Sequence, residues 1–455
     1  MSIRDVVRTW LIDLIGTEND RSGRYEQYRD YYDGRQRRQI AIKTEQADDN
    51  LVENFAELIV DRSVSMLLGG GVKLELGDEA VQDWVDEWME ANDLQILLHD
   101  AVENGSVFGT AYVKIMPDGV ESRQRPGVML PRLVALDPQW MRIITPVEDI
   151  GRVTGYEMTY QVEDETGEMI VRRETIRAVS TAGDERPERW TVTNYVANKA
   201  TRGRFEQVGE VVDWLHAFGP IVHWKSLPNA NDVYGKSDLE SILELQDRLN
   251  FVAGNISKII RYHAHPKTWG RGAGLGSRVS WGADEIVLLN GENAMLENLE
   301  MQTDLSSSRA FYGDLREALF AISRTVDLNM LRDHVGQLTN FGLRVMYSDA
   351  LAKLGTKRQL AGRGLQELAY RALALHGMYT SPARVVWPDP LPISEIEAVQ
   401  ADGFDVDRGL VSHQTMSEHR GYDWEREQAR MGDERAGEDN VGAAILRAFE
   451  RGAGQ

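Results

Sequence analysis

The feature that most constrains the fold is a long amphipathic segment that leads directly into a glycine-rich stretch. Residues 239–260 read LESILELQDRLNFVAGNISKII, and their apolar side chains recur at alternating steps of three and four. This seam comprises Ile242, Leu245, Leu249, Val252, Ile256 and Ile259. Such a repeat predicts one continuous helix, which we place at 235–264. Because the chain continues as YHAHPKTWGRGAGLG, we expect this helix to carry an insert of different structure at its end.

A second helix is predicted on the other side of this insert. Residues 306–325 repeat the alternating spacing. The apolar side chains at this spacing are Tyr312, Leu315, Leu319, Ile322 and Val326. The insert itself, residues 265–304, contains runs such as EIVLLN between glycines, which are typical of short strands. The sequence therefore predicts two long helices joined by a small β-rich segment.

The remainder of the chain divides into a mixed N-terminal part and a helical C-terminal part. Helices are predicted at 3–16, 20–33, 50–71 and 78–92. Alternating β-branched and aromatic runs, separated by turn residues, then predict antiparallel strands up to about residue 225. A very long helix is predicted at 341–377, kinked at Gly355 or near Gly362–Gly364, and a short strand within 385–392. This succession places the chain in the α+β class.

The composition excludes several classes of protein. The 455-residue chain contains no cysteine, which excludes disulfides, thiolate nucleophiles and cysteine-based zinc sites and fits a reducing cytoplasm. No window of eighteen apolar residues occurs, so no membrane-spanning helix is expected. The opening stretch MSIRDVVRTWLIDLIG carries charges throughout and is typical of an amphipathic helix rather than a secretory signal.

The formal net charge of −21 at pH 7 limits how this chain can meet nucleic acid. A protein that holds nucleic acid through its phosphates is normally basic, because each neutralised phosphate adds affinity. The acidic field of this chain repels DNA instead. Two hypotheses remain: nucleic acid is irrelevant here, or it passes close to the protein without being held.

A basic cluster between residues 324 and 363 is an exception to the acidic composition. Its members are Arg324, Arg332, Arg344, Lys353, Lys357, Arg358 and Arg363. These side chains form either a solvated helix face with salt bridges or a basic band in an acidic chain. Composition alone favours the solvated face.

No motif in the sequence predicts catalysis. The stretch YGKSD at 234–238 lacks the first glycine of a phosphate-binding loop, because Ala230 occupies that position. A helix N-terminus capped by Ser237 or Asp238 is the simpler interpretation. The stretch GRGAGLG at 270–276 does not lie in a strand–helix–strand unit, and we interpret it as a mobile loop. We therefore predict that the chain is not an enzyme and binds no cofactor or metal ion.

The order of the predicted elements and several sequence stretches resemble the portal proteins of tailed bacteriophages, which form the head-to-tail connector. The stretches that carry this resemblance are RYEQYRDYYDGRQ, NLVENFAELIVDRSVSMLLGGGVKL and GPIVHWKSLPNANDVYGKSDLESILELQDRLN. The chain departs from the family at TNFGLRVM (339–346), where portal proteins often have a Ser-Gly-x-Ala-Leu run. The resemblance covers nearly the whole chain.

The resemblance implies a portal-like protomer with an α/β wing, a two-helix stem, a small β-rich clip, a long spine helix and a helical crown. The implied parts are the N-terminal segment and wing (1–225), the first stem helix (226–264), the clip (265–304), the second stem helix (305–325), the tunnel loop (326–340), the long wing helix with its closing strand (341–392) and the crown (393–455).

The resemblance also implies a function and the residues that serve it. Copies of the chain would form a homo-oligomeric ring, a dodecamer in this family, at one capsid vertex of the virion after assembly in the host cytoplasm. Double-stranded DNA would pass through the ring during packaging and ejection. The tunnel-loop residues expected to face DNA are Asn329, Arg332, His334 and Gln337. The clip residues expected to dock partners are Trp269, Arg271, Arg278 and Trp281.

The partners implied by the resemblance are all proteins apart from the DNA in transit. The clip would bind the terminase large subunit during packaging and the head–tail adaptor afterwards. Contacts with the major capsid and scaffolding proteins are also implied, and none with a membrane.

Two other classes of function stay open at this stage. A tail or baseplate protein would share the acidity and the ring, but the β insert between two long helices favours the portal. An enzyme with an α/β core, such as a carboxylate-dependent hydrolase, is disfavoured because no catalytic motif is assembled.

Overall fold

The computed structural model of the chain contains both helices and β-sheets, which confirms the α+β class. The residues that it describes are 19–38, 40, 48–146, 148–179, 189–198, 201, 203–264, 267–271, 295–299, 305–328, 340–378, 381–391 and 403–432. The chain falls into two units, Met1–Pro390 and Leu391–Gln455. The helix predicted at 3–16 lies outside the described residues.

The first unit opens with a group of helices whose apolar faces share one core. These elements are α1 (Asn19–Tyr32), α2 (Phe55–Leu68), β1 (Lys73–Glu75), α3 (Glu79–Ala91) and α4 (Leu94–Phe108). The side chain of Asn54 caps α2 by accepting a hydrogen bond from the backbone N–H of Glu57, and Gly69 ends the helix with a φ of 41°. Asp78 caps α3 in the same way. The predicted helices at 20–33 and 78–92 are therefore confirmed. The helix predicted at 50–71 is confirmed with shorter bounds, because it begins at Phe55 and ends before Gly69.

The antiparallel strands predicted before residue 225 are also confirmed. They are β2 (Thr110–Glu121), β3 (Met129–Leu136), β4 (Met141–Ile144), β5 (Gly155–Glu163), β6 (Met169–Val179), β7 (Arg189–Ala197), β8 (Glu206–Trp214) and β9 (Ile221–Lys225). Strands β4 to β8 pair in chain order, and β2 lies between β3 and β9 in a second sheet. In that second sheet Thr110 pairs with Lys225, so the end of the β region lies next to the end of α4.

Two long helices with a strand pair between them follow the sheets. They are α5 (Leu243–Ala264), β10 (Lys267–Arg271), β11 (Met295–Leu299) and α6 (Leu305–Ser323). The predicted helix start at 235 is wrong, because helical residues begin at Leu243. The preceding residues bind to the β region instead: Lys236 bridges Leu227, and the Gly235 N–H donates to the Thr110 hydroxyl at 2.9 Å.

Helices α7 (Asn340–Met346) and α8 (Ser348–Leu375) replace the single kinked helix predicted at 341–377. The break falls at Tyr347, and α8 continues through all three glycines at which a kink was expected. Gly364 has a packing role, because a Cβ there would lie 2.5 Å from the Cε3 atom of Trp224 on β9. The short strand β12 (Arg384–Val386) pairs with β1 and confirms the strand predicted after this helix.

In the second unit the described residues 403–432 include helix α9 (His413–His419) and further helical residues at 403–407 and 424–432. Among the described residues of the whole chain, no helix combines the length and the apolar character that crossing a membrane requires.

Candidate functional site at the base of the paired helices

Helices α5 and α6 pack against each other, and part of the seam predicted from the sequence is buried, although Ile322 of α6 is exposed. Ile242 and Leu249 on the α5 side and Leu319 on α6 are completely buried. Burial decreases along α5, since Ile256 and Ile259 are only partly buried. At the far end β10 and β11 form an antiparallel pair in which Lys267 lies opposite Leu299. The helix pair is therefore fixed firmly at one end and carries a strand pair at the other.

Asp238, just before α5, lies at the centre of the fixed end. Its side chain is buried, and its Oδ2 atom accepts a hydrogen bond from Lys357 Nζ at 2.5 Å. Lys353 Nζ, one turn earlier on α8, lies 3.0 Å from Asp238 Oδ1. Lys357 Nζ also donates to the hydroxyls of Ser63 and Ser106, at 2.8 and 2.9 Å. Two lysines of one helix thus share a single buried carboxylate.

The pKa values in this cluster follow from burial and from the opposite charges. Burial by itself raises the pKa of Asp238, but Lys357 and Lys353 outweigh it and lower that pKa to about 2. Burial lowers the pKa of Lys357 to about 8, although Asp238 opposes this shift. The carboxylate therefore stays charged over the whole range in which proteins are normally handled.

Lys353 also connects the cluster to the end of α6. Its Nζ atom donates to the carbonyl oxygen of Ser323, the last residue of α6, at 3.0 Å. A cation at a helix C-terminus is stabilised by the partial negative charge of the last carbonyl groups. Through Lys353, helix α8 therefore contacts both Asp238, five residues before α5 begins, and Ser323, the residue that ends α6.

The chain leaves α6 in a defined conformation. Arg324 has a φ of 55°, in the left-handed region, and the Thr325 N–H donates to the Phe320 carbonyl at 3.0 Å. This is the hydrogen bonding of a Schellman motif, which ends a right-handed helix. Arg316 then binds Asp327 through two nitrogens, at 2.9 and 3.0 Å. Arg62 on α2 donates to the Val326 carbonyl at 2.8 Å. The chain is thus anchored up to the first residues of the predicted tunnel loop.

A second group of contacts holds the side of α5. The Asn250 amide donates to Gln36 Oε1 at 2.6 Å, and its own oxygen accepts from the Glu53 N–H at 3.0 Å. Further along the helix, Arg261 pairs with Asp49 at 2.6 Å. The segment before α2 therefore contacts α5 at Asn250 and again near the far end of the helix at Arg261, and it connects α5 to the N-terminal helices.

The structure bears on few of the site residues predicted from the sequence. The predicted tunnel-loop residues Asn329, Arg332, His334 and Gln337 lie outside the described residues, as do Arg278 and Trp281. Trp269 and Arg271 lie on β10, where the register places them opposite Glu297 and Met295. The expectations for the tunnel loop and the clip surface therefore stay predictions.

Sequence reasoning missed the buried cluster. Asp238 does not cap a helix N-terminus, because helical residues begin only at Leu243. Lys353 and Lys357 belong neither to a solvated face nor to a basic band, because both are buried. Their spacing could have indicated this. Lys353 lies three residues after Ala350, and Lys357 lies four residues before Ala361. Both alanines belong to the buried face of α8.

The chemistry of this site is structural. Within the described ranges no group of three or more metal-binding side chains comes together. The cluster holds a carboxylate, two ammonium groups and two hydroxyls in fixed contact, which suits a joint between the helix pair and the rest of the first unit.

A family model described as "Phage portal protein, SPP1 Gp6-like" matches residues 13–440. A search of curated proteins returned no match.

Proposed function

The chain belongs to the phage portal proteins of the SPP1 Gp6-like family, and we propose that its copies form a ring that conducts double-stranded DNA into and out of the capsid. The family is structural, acts at the capsid vertex of the virion and takes part in DNA packaging as an oligomer. We propose a dodecamer that is assembled in the host cytoplasm and also serves DNA ejection.

The observation that carries this proposal is the helix pair with its fixed base. Helix α5 has 22 residues, which at 1.5 Å per residue gives about 33 Å of length. A ring of such helices encloses a conduit, and the cluster at Asp238 ties each pair to its own subunit. We assign α5 and α6 to the stem, 265–304 to the clip, 326–340 to the tunnel loop and 393–455 to the crown.

The negative charge of the chain suits a channel through which DNA slides. Each phosphate that a protein neutralises adds affinity by releasing counterions. A basic channel wall would therefore bind DNA and slow its movement through the channel. A net charge of −21 on each copy disfavours such binding. We propose that only the tunnel loop contacts DNA, through Asn329, Arg332, His334 and Gln337.

The clip is proposed as the docking surface for successive partners. It lies between two long helices in the chain, and Trp269, Arg271, Arg278 and Trp281 supply aromatic and cationic groups of the kind enriched at interfaces. We propose that it binds the terminase large subunit first and the head–tail adaptor later, and that ATP hydrolysis during packaging belongs to the terminase. The major capsid and scaffolding proteins are proposed as further partners.

Native mass spectrometry of the purified chain tests the ring. The proposal expects closed rings of about twelve copies, since head-to-tail contacts that close give a ring. A monomer at all concentrations would contradict the proposal and favour an enzyme or adaptor role. A trimer or hexamer would point to a tail component instead.

A further inference from the structure

One face of α5 is basic and takes no part in the packing described above. Arg248, Phe251, Asn255 and Lys258 follow one another at steps of three, four and three, which places them along one side of the helix. Arg248 is exposed and its guanidinium lies 5.2 Å from the centre of the Phe251 ring. Within the part of the chain that the structure describes, neither Arg248 nor Lys258 forms an ion pair. We call these four residues the basic stem face.

One face of α6 has the opposite character. Ala310, Asp314, Glu317 and Ala321 follow at steps of four, three and four, and all four are exposed. Neither carboxylate forms an ion pair within the described residues. Phe311 and Ile322 flank this face with exposed fractions of 44% and 49%. We call Ala310, Asp314, Glu317 and Ala321 the acidic stem face.

Four charged residues of the helix pair do not follow this division. Asp247 on α5 accepts a hydrogen bond from the Tyr31 hydroxyl, and Arg316 on α6 is paired with Asp327. The positions of the other two account for them. Glu244 precedes Arg248 on the same side of α5, but it lies in the first helical turn, where a negative charge is stabilised by the helix dipole. Arg309 lies near the start of α6 and one residue off the spacing that defines the acidic stem face.

The two faces lie on different helices of one chain and do not satisfy each other within it. A closed ring repeats one head-to-tail contact, so two different surfaces of each copy must fit together. We propose that the basic stem face of one copy packs against the acidic stem face of the next copy, and this inference rests on the ring of the proposed function. The occupant of each face is thus a second copy of this chain.

Several features favour a second copy over DNA as the occupant. The acidic stem face repels phosphates, whereas it attracts the basic stem face. Its alanines are small, which lets a neighbouring helix approach closely. The exposed side chains of Phe311 and Ile322 also gain from being covered by protein.

The distances of the charged residues from the fixed base, measured along the helices, identify one pair for testing. Arg248 lies five residues after the start of α5, or about 8 Å along the helix. Glu317 lies six residues before the end of α6, or about 9 Å from it. Both distances are measured from the fixed base and are nearly equal. Arg248 of one copy and Glu317 of the next can therefore meet if the bases of neighbouring copies lie at the same level along the ring axis.

The test compares ring formation by native mass spectrometry and sedimentation at low and moderate salt. We expect Arg248→Glu and Glu317→Arg each to lower the fraction of subunits in rings at least fivefold, and the double variant R248E/E317R to restore at least half of it. Arg363→Glu is a matched control, because Arg363 is exposed on α8 and away from both faces. Circular dichroism confirms that each variant is folded.

Three results would overturn the inference, and they differ from one another. Rings of normal yield from both single variants show that the faces are not in contact. Normal rings from Arg248→Glu/Lys258→Glu that release DNA faster or slower place the basic stem face on the channel wall. A wild-type chain that forms no ring contradicts the proposed function itself.

Discussion

Lys353 Nζ lies 3.0 Å from the Asp238 carboxylate, across the junction between the long helix α8 and the segment that leads into the helix pair. The same nitrogen donates to the Ser323 carbonyl at 3.0 Å. A single side chain therefore joins three segments that are far apart in the sequence. A disturbance at this junction is expected to affect both helices of the proposed stem together.

Asp238→Asn tests the buried cluster. The substitution keeps the size of the side chain but leaves Lys353 and Lys357 buried without a counter-charge. Breaking a buried ion pair in this way costs about 3–5 kcal/mol. We expect the free energy of unfolding, measured by urea denaturation, to fall by that amount. Glu240→Gln is the control, because Glu240 is exposed two residues away, and it should change stability by less than about 0.5 kcal/mol. Equal effects from the two variants would mean that the cluster is not important for stability.

A pair of glycines on α8 should respond to alanine in opposite directions. At Gly364 the added Cβ meets the Trp224 ring at 2.5 Å, and overpacking of this kind costs about 1–3 kcal/mol. At Gly355 nothing lies within 4 Å, so alanine there gains about 0.5–1 kcal/mol of helix propensity. The melting temperature should fall for G364A and rise for G355A. A rise for both would show that α8 does not pack on Trp224 as described.

His223 should make stability depend on pH below neutrality. Burial, together with the positive charges of Arg371 and Lys225, lowers its pKa from 6.5 to about 4. The unfolded chain therefore binds a proton on His223 at a higher pH than the folded chain does. Stability is complete above about pH 6.5 and decreases as the pH falls towards 4, by about 3 kcal/mol in total for this group.

Replacing His223 by glutamine removes this titration. The loss of stability between pH 6.5 and 4, followed by urea denaturation, should become smaller in H223Q than in the wild type. His99→Gln is the control, since His99 is exposed on α4. An unchanged pH profile in H223Q would contradict the assignment.

Arg332→Glu tests the proposed tunnel loop. The variant should assemble normally but package or retain less DNA, because a ring of acidic groups would replace a ring of weak phosphate contacts. The defect should be larger at low salt, since the screening length grows from about 10 Å at 0.1 M to about 30 Å at 0.01 M. Arg363→Glu serves again as the charge-matched control. DNA-filled heads of normal yield from R332E at low salt would place the constriction elsewhere.

Deleting residues 270–276 tests the proposed clip. Rings should still form, because α5 and α6 are fixed at the opposite end by the cluster at Asp238. Binding to the terminase and to the head–tail adaptor should both be lost in pull-down measurements. A variant with seven Gly and Ser residues in the same place separates the loss of side chains from the shortened chain. Failure of ring assembly would show that the segment is mainly a contact between subunits.

The sequence determined the elements whose signal is local. The three-four spacing from Ile242 to Ile259 and from Tyr312 to Ile322 was enough to predict that α5 and α6 exist. Strand-like runs between glycines predicted the β segment that joins them. Alternating apolar residues likewise predicted the antiparallel strands, and the family could be identified from the order of these elements. These predictions succeed because helix and strand periods are properties of neighbouring residues along one chain.

Tertiary structure alone decided where α5 begins, where the long C-terminal helix breaks and what the lysines of α8 do. The residues next to them in the sequence are compatible with Asp238 capping a helix and with Gly355 or Gly364 kinking one. Instead Asp238 meets Lys353 and Lys357, and Gly364 meets Trp224. The reason is that a buried charge or a close helix–sheet contact is settled by a partner more than a hundred residues away. A local pattern carries no information about that partner.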